Sequence, residues 1–289
     1  MLTVIWLVTT LFPYDGKEPT DRLIPSEWKG NPWGPTATRA RETGDLPPIR
    51  MTPEMQAWDR WARSALRDGD IVFRRADARV LAGRFPFSRF IANVSGSLYS
   101  HTGIAAIEKG EPVIYDTTKA GVRRQPFAVW MLDNFGPLGV KRVRPELKSH
   151  ADEAVRFCRR AYEIQIPFDF DFELGDDALY CVELTEKAYR ASGLELSKPV
   201  RLGDMERATE YPVCIFVFMR LTKLTLEQAV YFPGNERHGI WSCPELVTVY
   251  QSHPSHDGRP AKAGDVNAKA VPPAPEPDKT ASRPAGSKS

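Results

Sequence analysis

Cysteine is scarce in this chain and follows no pattern. The four cysteines, Cys158, Cys181, Cys214 and Cys243, include no CxxC pair, which argues against a disulfide scaffold and against a zinc ribbon. Charge of one sign is lacking too. Formal net charge is +2 and no basic stripe dominates any segment, so nothing points to a nucleic-acid surface. The pairs Arg123-Arg124 and Lys141-Arg142 read as solvated faces. Metal-ligand spacing is absent, even around His238 and Cys243, and neither a metal nor an organic cofactor is expected. The apolar run over residues 1–8 is too short to span a bilayer. It has no Lys or Arg ahead of it and no small-residue cleavage site, so it is a poor signal peptide. A degenerate signal and a mis-set start codon both fit, which leaves cytoplasmic and cell-envelope locations open, peripheral membrane association included.

What is present is the composition of a globular protein, 42% apolar and 10% aromatic, sufficient for a core that needs no covalent staples. Residues 16–48 are rich in Pro, Gly and charge without a sustained period and are expected to form an extended arm or loop. From about residue 253 the chain holds almost no large apolar residue, so that stretch cannot bury enough surface to order itself. The expected division is an apolar segment and arm over 1–50, a folded domain over 51–252 and a disordered tail over 253–289.

Within the domain, Met55, Trp58, Trp61 and Leu66 suit one face of a helix opened by Thr52-Pro53-Glu54. A turn at Asp68-Gly69 leads into a strand at 71–73, and a short helix is expected over 87–94. Residues 100–107 read as a strand that turns at Lys109-Gly110 and returns over 112–116. A further strand fits 122–126 and a short helix 127–132. Helical spacing is clear over 151–163, where Ala151, Val155, Cys158 and Tyr162 share a face, and again from Tyr180-Cys181 to Ser192, with Gly193 as its stop. The continuous apolar run 213–219 is expected as a buried strand with Cys214 packed inside it.

A thiol is reactive where its thiolate is stabilised and reachable, and a helix N-terminus provides the first condition. Cys181 sits at such a start, whereas Cys158 and Cys214 lie inside elements. Hairpin arithmetic supplies the partner. If Lys109-Gly110 is a two-residue turn, Glu108 faces Glu111 and Gly103 faces Asp116, so His101 and Asp116 are diagonal neighbours on one face. One residue of slip brings Tyr115 or Thr117 there instead. A carboxylate holding one imidazole nitrogen leaves the other free for a thiol proton. Cys243 is a decoy: Ser242 to Leu246 repeats the "YCVEL" pattern as "SCPEL", and Pro244 could open a helix, but no hairpin precedes it in the right order.

The segments "GDIVFRR", "YSHTGI", "VIYDTTKAGV" and "FDFDFELGDDALYCVEL" resemble, in that order, the permuted papain-like cysteine hydrolases of the YiiX/YaeF type. These are a circularly permuted branch of the NlpC superfamily, related in topology to lecithin:retinol acyltransferase-like enzymes. The resemblance covers residues 66–193, more loosely to about 250. It implies an α+β fold, a small antiparallel sheet or half-barrel packed on the cysteine-bearing helix. It also implies Cys181 as nucleophile, His101 as base and Asp116 as third polar residue, where the family more often carries Glu or His. Backbone donors at the helix start, with Tyr180 as support, would hold the oxyanion. The implied activity is hydrolysis or acyl transfer on an amide or ester, with a small-molecule, peptide or lipid acyl substrate; thioesterase chemistry falls in the same range. The competing class is a non-catalytic lipid- or peptide-binding protein on the same fold.

Overall fold

The computed structural model describes residues 18–79, 85–221 and 224–252; the expectations for the apolar segment 1–8 and the tail 253–289 fall outside them. A 3-10 turn at Pro19–Leu23 is followed by α1 (Pro35–Thr43), α2 (Pro53–Ala65), β1 (Ile71–Arg74) and α3 (Phe87–Val94). Strands β2 (His101–Glu108), β3 (Glu111–Thr118) and β4 (Gly121–Pro126) come next, then the single-turn helix α4 (Phe127–Trp130) and β5 (Leu138–Val143). Helices α5 (Lys148–Glu163) and α6 (Cys181–Arg190) precede β6 (Val200–Arg201), α7 (Pro212–Leu221), β7 (Ala229–Val230) and β8 (Leu246–Gln251).

Six of these strands make one open antiparallel sheet in the order β4-β3-β2-β1-β5-β8. Its register follows from one turn. Lys109 and Gly110 both take positive φ, +50° and +82°, the two-residue conformation whose twist matches a hairpin. Glu108 therefore pairs with Glu111 and Ile104 with Tyr115.

Because side chains alternate along a strand, this register sorts the sheet's residues onto two cores. Ile71, Phe73, Ile104, Ala106, Val113 and Tyr115 pack with Ala154, Val155 and Cys158 of α5 and Leu184, Ala188 and Tyr189 of α6. Val72, Ala105, Ile114, Leu138 and Val140 pack with Met55, Trp58 and Ala62 of α2 and with the whole of α4. The sheet lies between two helical layers, an α+β arrangement that buries both faces of its central strands. Thr52 opens α2 as expected, its hydroxyl accepting from the Met55 amide at 3.2 Å, and α6 rests against α5 and β2.

Several expectations are corrected. The 16–48 segment is not wholly extended: within it lie the 3-10 turn and α1, which Pro35 opens and Gly44, at φ +87°, closes. Tertiary docking supplies what its weak periodicity lacks, since Trp33 is buried with the Arg41 guanidinium 4.6 Å over its ring. The run 213–219 is part of helix α7, not a strand. A continuous apolar run fits either element; here Pro212 begins a helix that buries Ile215 and Phe218, three apart, and leaves Val213 and Phe216 exposed. After Pro244 comes strand β8 rather than a helix. Nor are the basic pairs both solvated, because Arg123 and Lys141 are buried.

Gly103 lies on β2 against Ile114 and Tyr115 of β3. A Cβ there would stand 2.5 Å from Ile114 Cγ2 and 3.0 Å from the Tyr115 carbonyl. Gly103→Ala is expected to cost roughly 1–3 kcal/mol through overpacking, read as a lower urea midpoint at an unchanged m-value.

Candidate active site

Cys181 is the first residue of α6, and Tyr180 before it is extended at φ −93°, ψ 169°. The chain thus turns into the helix at the cysteine itself, where the first amides have no intrahelical acceptor. Two fastenings hold this start. The Tyr180 amide donates to the Glu183 carboxylate at 3.4 Å, and the Tyr180 hydroxyl accepts from the Tyr231 amide at 2.6 Å. On the sheet side the Thr102 hydroxyl lies 2.9 Å from that of Thr185 and 3.4 Å from the Cys181 carbonyl. Helix α6 is thereby pinned to the residue that follows His101.

His101 opens β2, opposite Arg74 of β1. Its Nε2 lies 2.6 Å from Asp116 Oδ2, and its side chain interacts with that of Cys181. With Nε2 on the carboxylate, the nitrogen left for the sulfur is Nδ1. Burial alone would lower the imidazole pKa, but Cys181 and Asp116 outweigh it and raise the pKa. The imidazolium is therefore favoured here despite its burial.

Asp116 is fully buried. Burial would push its carboxyl up, yet Arg123 and His101 hold it well below the usual carboxylate range. The donors are close. Arg123 Nε reaches Oδ1 at 2.6 Å and Nη2 reaches Oδ2 at 3.0 Å, while Trp130 Nε1 donates to Oδ2 at 2.8 Å. Arg74, also buried, lies over the Trp130 ring at 4.0 Å. It approaches Asp116 to 3.9 Å and Asp133 to 3.7 Å.

Cys181, His101 and Asp116 are thus brought together, and Tyr180 directly adjoins them. The other thiols are placed differently. Burial pushes Cys158 and Cys214 up, and burial with the Glu245 carboxylate pushes Cys243 up to about 12. Sequence reasoning missed Arg74, Arg123 and Trp130. A signal for Arg123 existed: the next hairpin turns at Lys119-Ala120, so Thr118 faces Gly121 and Asp116 faces Arg123. The same counting that paired Asp116 with Gly103 would have found its cation.

A family model described as permuted papain-like amidase enzyme, YaeF/YiiX, C92 family, matches residues 65–231. An uncharacterised Escherichia coli K12 protein, YiiX, is 24% identical over 188 residues, spanning 64% of this chain and 87% of that protein. A crystal structure titled metalloprotein yiiX from Escherichia coli O157:H7 matches with a TM-score of 0.55 at 23% identity, over 65% of this chain and 98% of that one. That likeness is one of fold.

A depressed carboxylate and a raised imidazole stabilise the folded state in opposite directions of pH. Asp116 contributes fully above its unfolded value of about 3.9 and loses the contribution as pH falls; His101 contributes fully below about 6.5 and loses it as pH rises through its raised folded value. The advantage of the wild type over Asp116→Asn is expected to be greatest between about pH 4 and 6.5, at roughly 3–5 kcal/mol for a broken buried ion pair. Urea denaturation of both proteins from pH 3 to 9 (roughly the span of these two titrations) measures it. A difference independent of pH would contradict the assignment.

Proposed function

The chain belongs to the permuted papain-like amidase family of the YaeF/YiiX type, a cysteine-hydrolase class, and from that premise we propose that it cleaves an amide bond at Cys181. The observation carrying this reading is the divided imidazole of His101. One nitrogen is held by a buried carboxylate, and the other is left to the thiol.

In the proposed reaction the Cys181 thiol proton passes to His101, and the sulfur attacks the amide carbonyl carbon. The carbonyl π electrons move to oxygen, beside the Cys181 amide at the helix start, where a backbone donor and the helix dipole favour negative charge. Collapse of this intermediate breaks the C–N bond, and His101 gives its proton to the departing amine. Water then attacks the thioester, giving a proton back to His101, and the thiol is restored as the carboxylic acid leaves. Asp116 keeps its charge throughout. Arg123 and Trp130 already occupy its oxygens, so its part is to aim the ring and offset the imidazolium charge.

Tyr180 supports the oxyanion site by fixing the helix entrance through its bond from Tyr231. Beyond it stand Phe172, 5.1 Å from the Tyr180 ring, then Phe168 and the exposed Phe170. This aromatic flank suits an apolar portion of the substrate, such as the acyl chain of a lipid-like amide. The Escherichia coli structure is titled a metalloprotein. Here, among the described residues, no group of three or more His, Cys, Asp or Glu side chains is arranged to hold a metal ion, and a cation at Asp116 would meet the Arg123 guanidinium. These residues do not fit a resident ion.

Iodoacetamide at near-neutral pH is expected to alkylate Cys181 ahead of Cys158, Cys214 and Cys243. His101→Ala should slow that reaction at least tenfold, and Cys181→Ser should abolish amide turnover, in keeping with a general-base contribution of about 10²–10⁴. Peptide mapping that finds equal, slow labelling of all four thiols would sink the proposal.

A further inference from the structure

The charges behind His101 come from five separate segments. Asp116 is on β3, Arg123 on β4, Arg74 on β1, Asp133 in the turn after α4, and Glu18 precedes the 3-10 turn of the arm. Arg123 joins most of them. Besides its two bonds to Asp116, it places Nη1 3.3 Å from Glu18 Oε2 and Nη2 3.6 Å from Asp133 Oδ2. The arm is fastened beside it, because buried Thr20 donates its amide and hydroxyl to Asp133 at 3.3 and 3.2 Å. Trp130 adds a neutral N–H donor, and Cys181 faces His101 from α6 on the opposite side.

The described charges sum simply. Two guanidinium groups, Arg74 and Arg123, meet three carboxylates, Asp116, Asp133 and Glu18. One negative charge is left over, and the imidazolium of His101 balances it. Glu18 supplies the surplus, yet it lies outside the family-matched stretch of 65–231. Its side chain is 21% exposed, against 2% for Arg123, so it is the edge of a cluster otherwise sealed from water.

We infer that Arg123 is a positioning residue of this site, and that Glu18, brought by the arm, tunes His101 by offsetting the Arg123 charge. The inference rests on the reading of Cys181 and His101 as the reacting pair and adds to it a control that the arm exerts. It also fixes the sign of two substitutions. Neutralising Glu18 leaves Arg123 less compensated and makes an imidazolium nearby less favourable. Neutralising Arg123 frees Asp116 to bind the imidazolium alone and makes it more favourable.

The test is the titration of His101 in the full-length protein, followed by NMR of labelled histidine, alongside the pH dependence of Cys181 alkylation by iodoacetamide. Glu18→Gln should move the midpoint for loss of the imidazolium down, and Arg123→Gln should move it up, each by at least about 0.3 pH unit. Arg123→Lys, which keeps the charge but not the fork, should restore most of the midpoint. Opposite shifts are not expected of residues that serve only to hold the fold. Midpoints that move in the same direction, or stay within about 0.1 unit of the wild type, overturn the inference. Should Arg123→Gln fail to fold, the more exposed Glu18→Gln decides alone: a downward shift supports the inference, and no shift or an upward one refutes it. Repeating the NMR titration in Cys181→Ser separates the two proposals. If wild-type Cys181 shows no selective alkylation, the amidase reading falls, while the His101 midpoints still judge Glu18 and Arg123.

Discussion

A carboxylate with no exposure to water governs this structure. An isolated buried charge is costly enough that it would take up a proton instead. Asp116 avoids this because three elements deliver N–H donors to it: β4 the Arg123 fork, α4 the Trp130 indole, and β2 the His101 ring. Each donor is constrained in turn. Arg123 is placed by register, opposite Asp116. Trp130 is stacked on Phe127, itself packed against Trp58, and lies under the Arg74 guanidinium. Breaking one side of such a group strands the other charge, which makes the cluster rigid as well as ionised. The imidazole is consequently oriented from behind, before any substrate arrives.

The same constraint explains the shape of the surrounding sheet. His101, Asp116, Arg123 and Arg74 occupy strand positions on the α2–α4 side, in line with Val72, Ala105 and Ile114. A polar cluster therefore closes off one end of an apolar layer. Cys181 belongs to a helix on the other side, and the two meet because His101 is the first residue of its strand. There the imidazole stands at the end of the β1–β2 pairing, within reach of the entrance to α6. Placed two residues further along β2, at Gly103, a histidine would meet Ile114 and the Tyr115 carbonyl in the sheet's interior.

Much of this was legible in the sequence where local chemistry sets geometry. The Lys109-Gly110 turn fixed a register, and with it the closeness of His101 to Asp116. Thr52-Pro53 and Tyr180-Cys181 marked helix starts through capping and composition. Illegible were features that depend on distant partners. Hairpin counting could have set Arg123 opposite Asp116, but nothing in the sequence brings it to Glu18, 105 residues away. Lys141 resembled a surface residue, though it lies buried with its ammonium 4.6 Å over the Trp241 ring. Strands β5 and β8 were missed because β5 pairs with β1 and with β8 across long separations. Helix α7 was misread because an uninterrupted apolar run carries no period to count.

Chain order matters little to such a site, and the reason is mechanical. Thr102 and Cys181 are 79 residues apart, yet their hydrogen bond is one of two that lock α6 to β2 through Thr102. Between them the chain makes β5 on the far side of β1, then returns through α5, which packs on both the sheet and α6. Any connection long enough to make that circuit would serve, and so would one that visited the cysteine helix first. What cannot be exchanged is the end of the sheet where the thiol, the imidazole and the carboxylate line up, because each holds its neighbour's proton in place. The arm follows the same logic from outside the matched stretch. By bringing Glu18 and Thr20 onto Arg123 and Asp133, it covers an edge of the cluster.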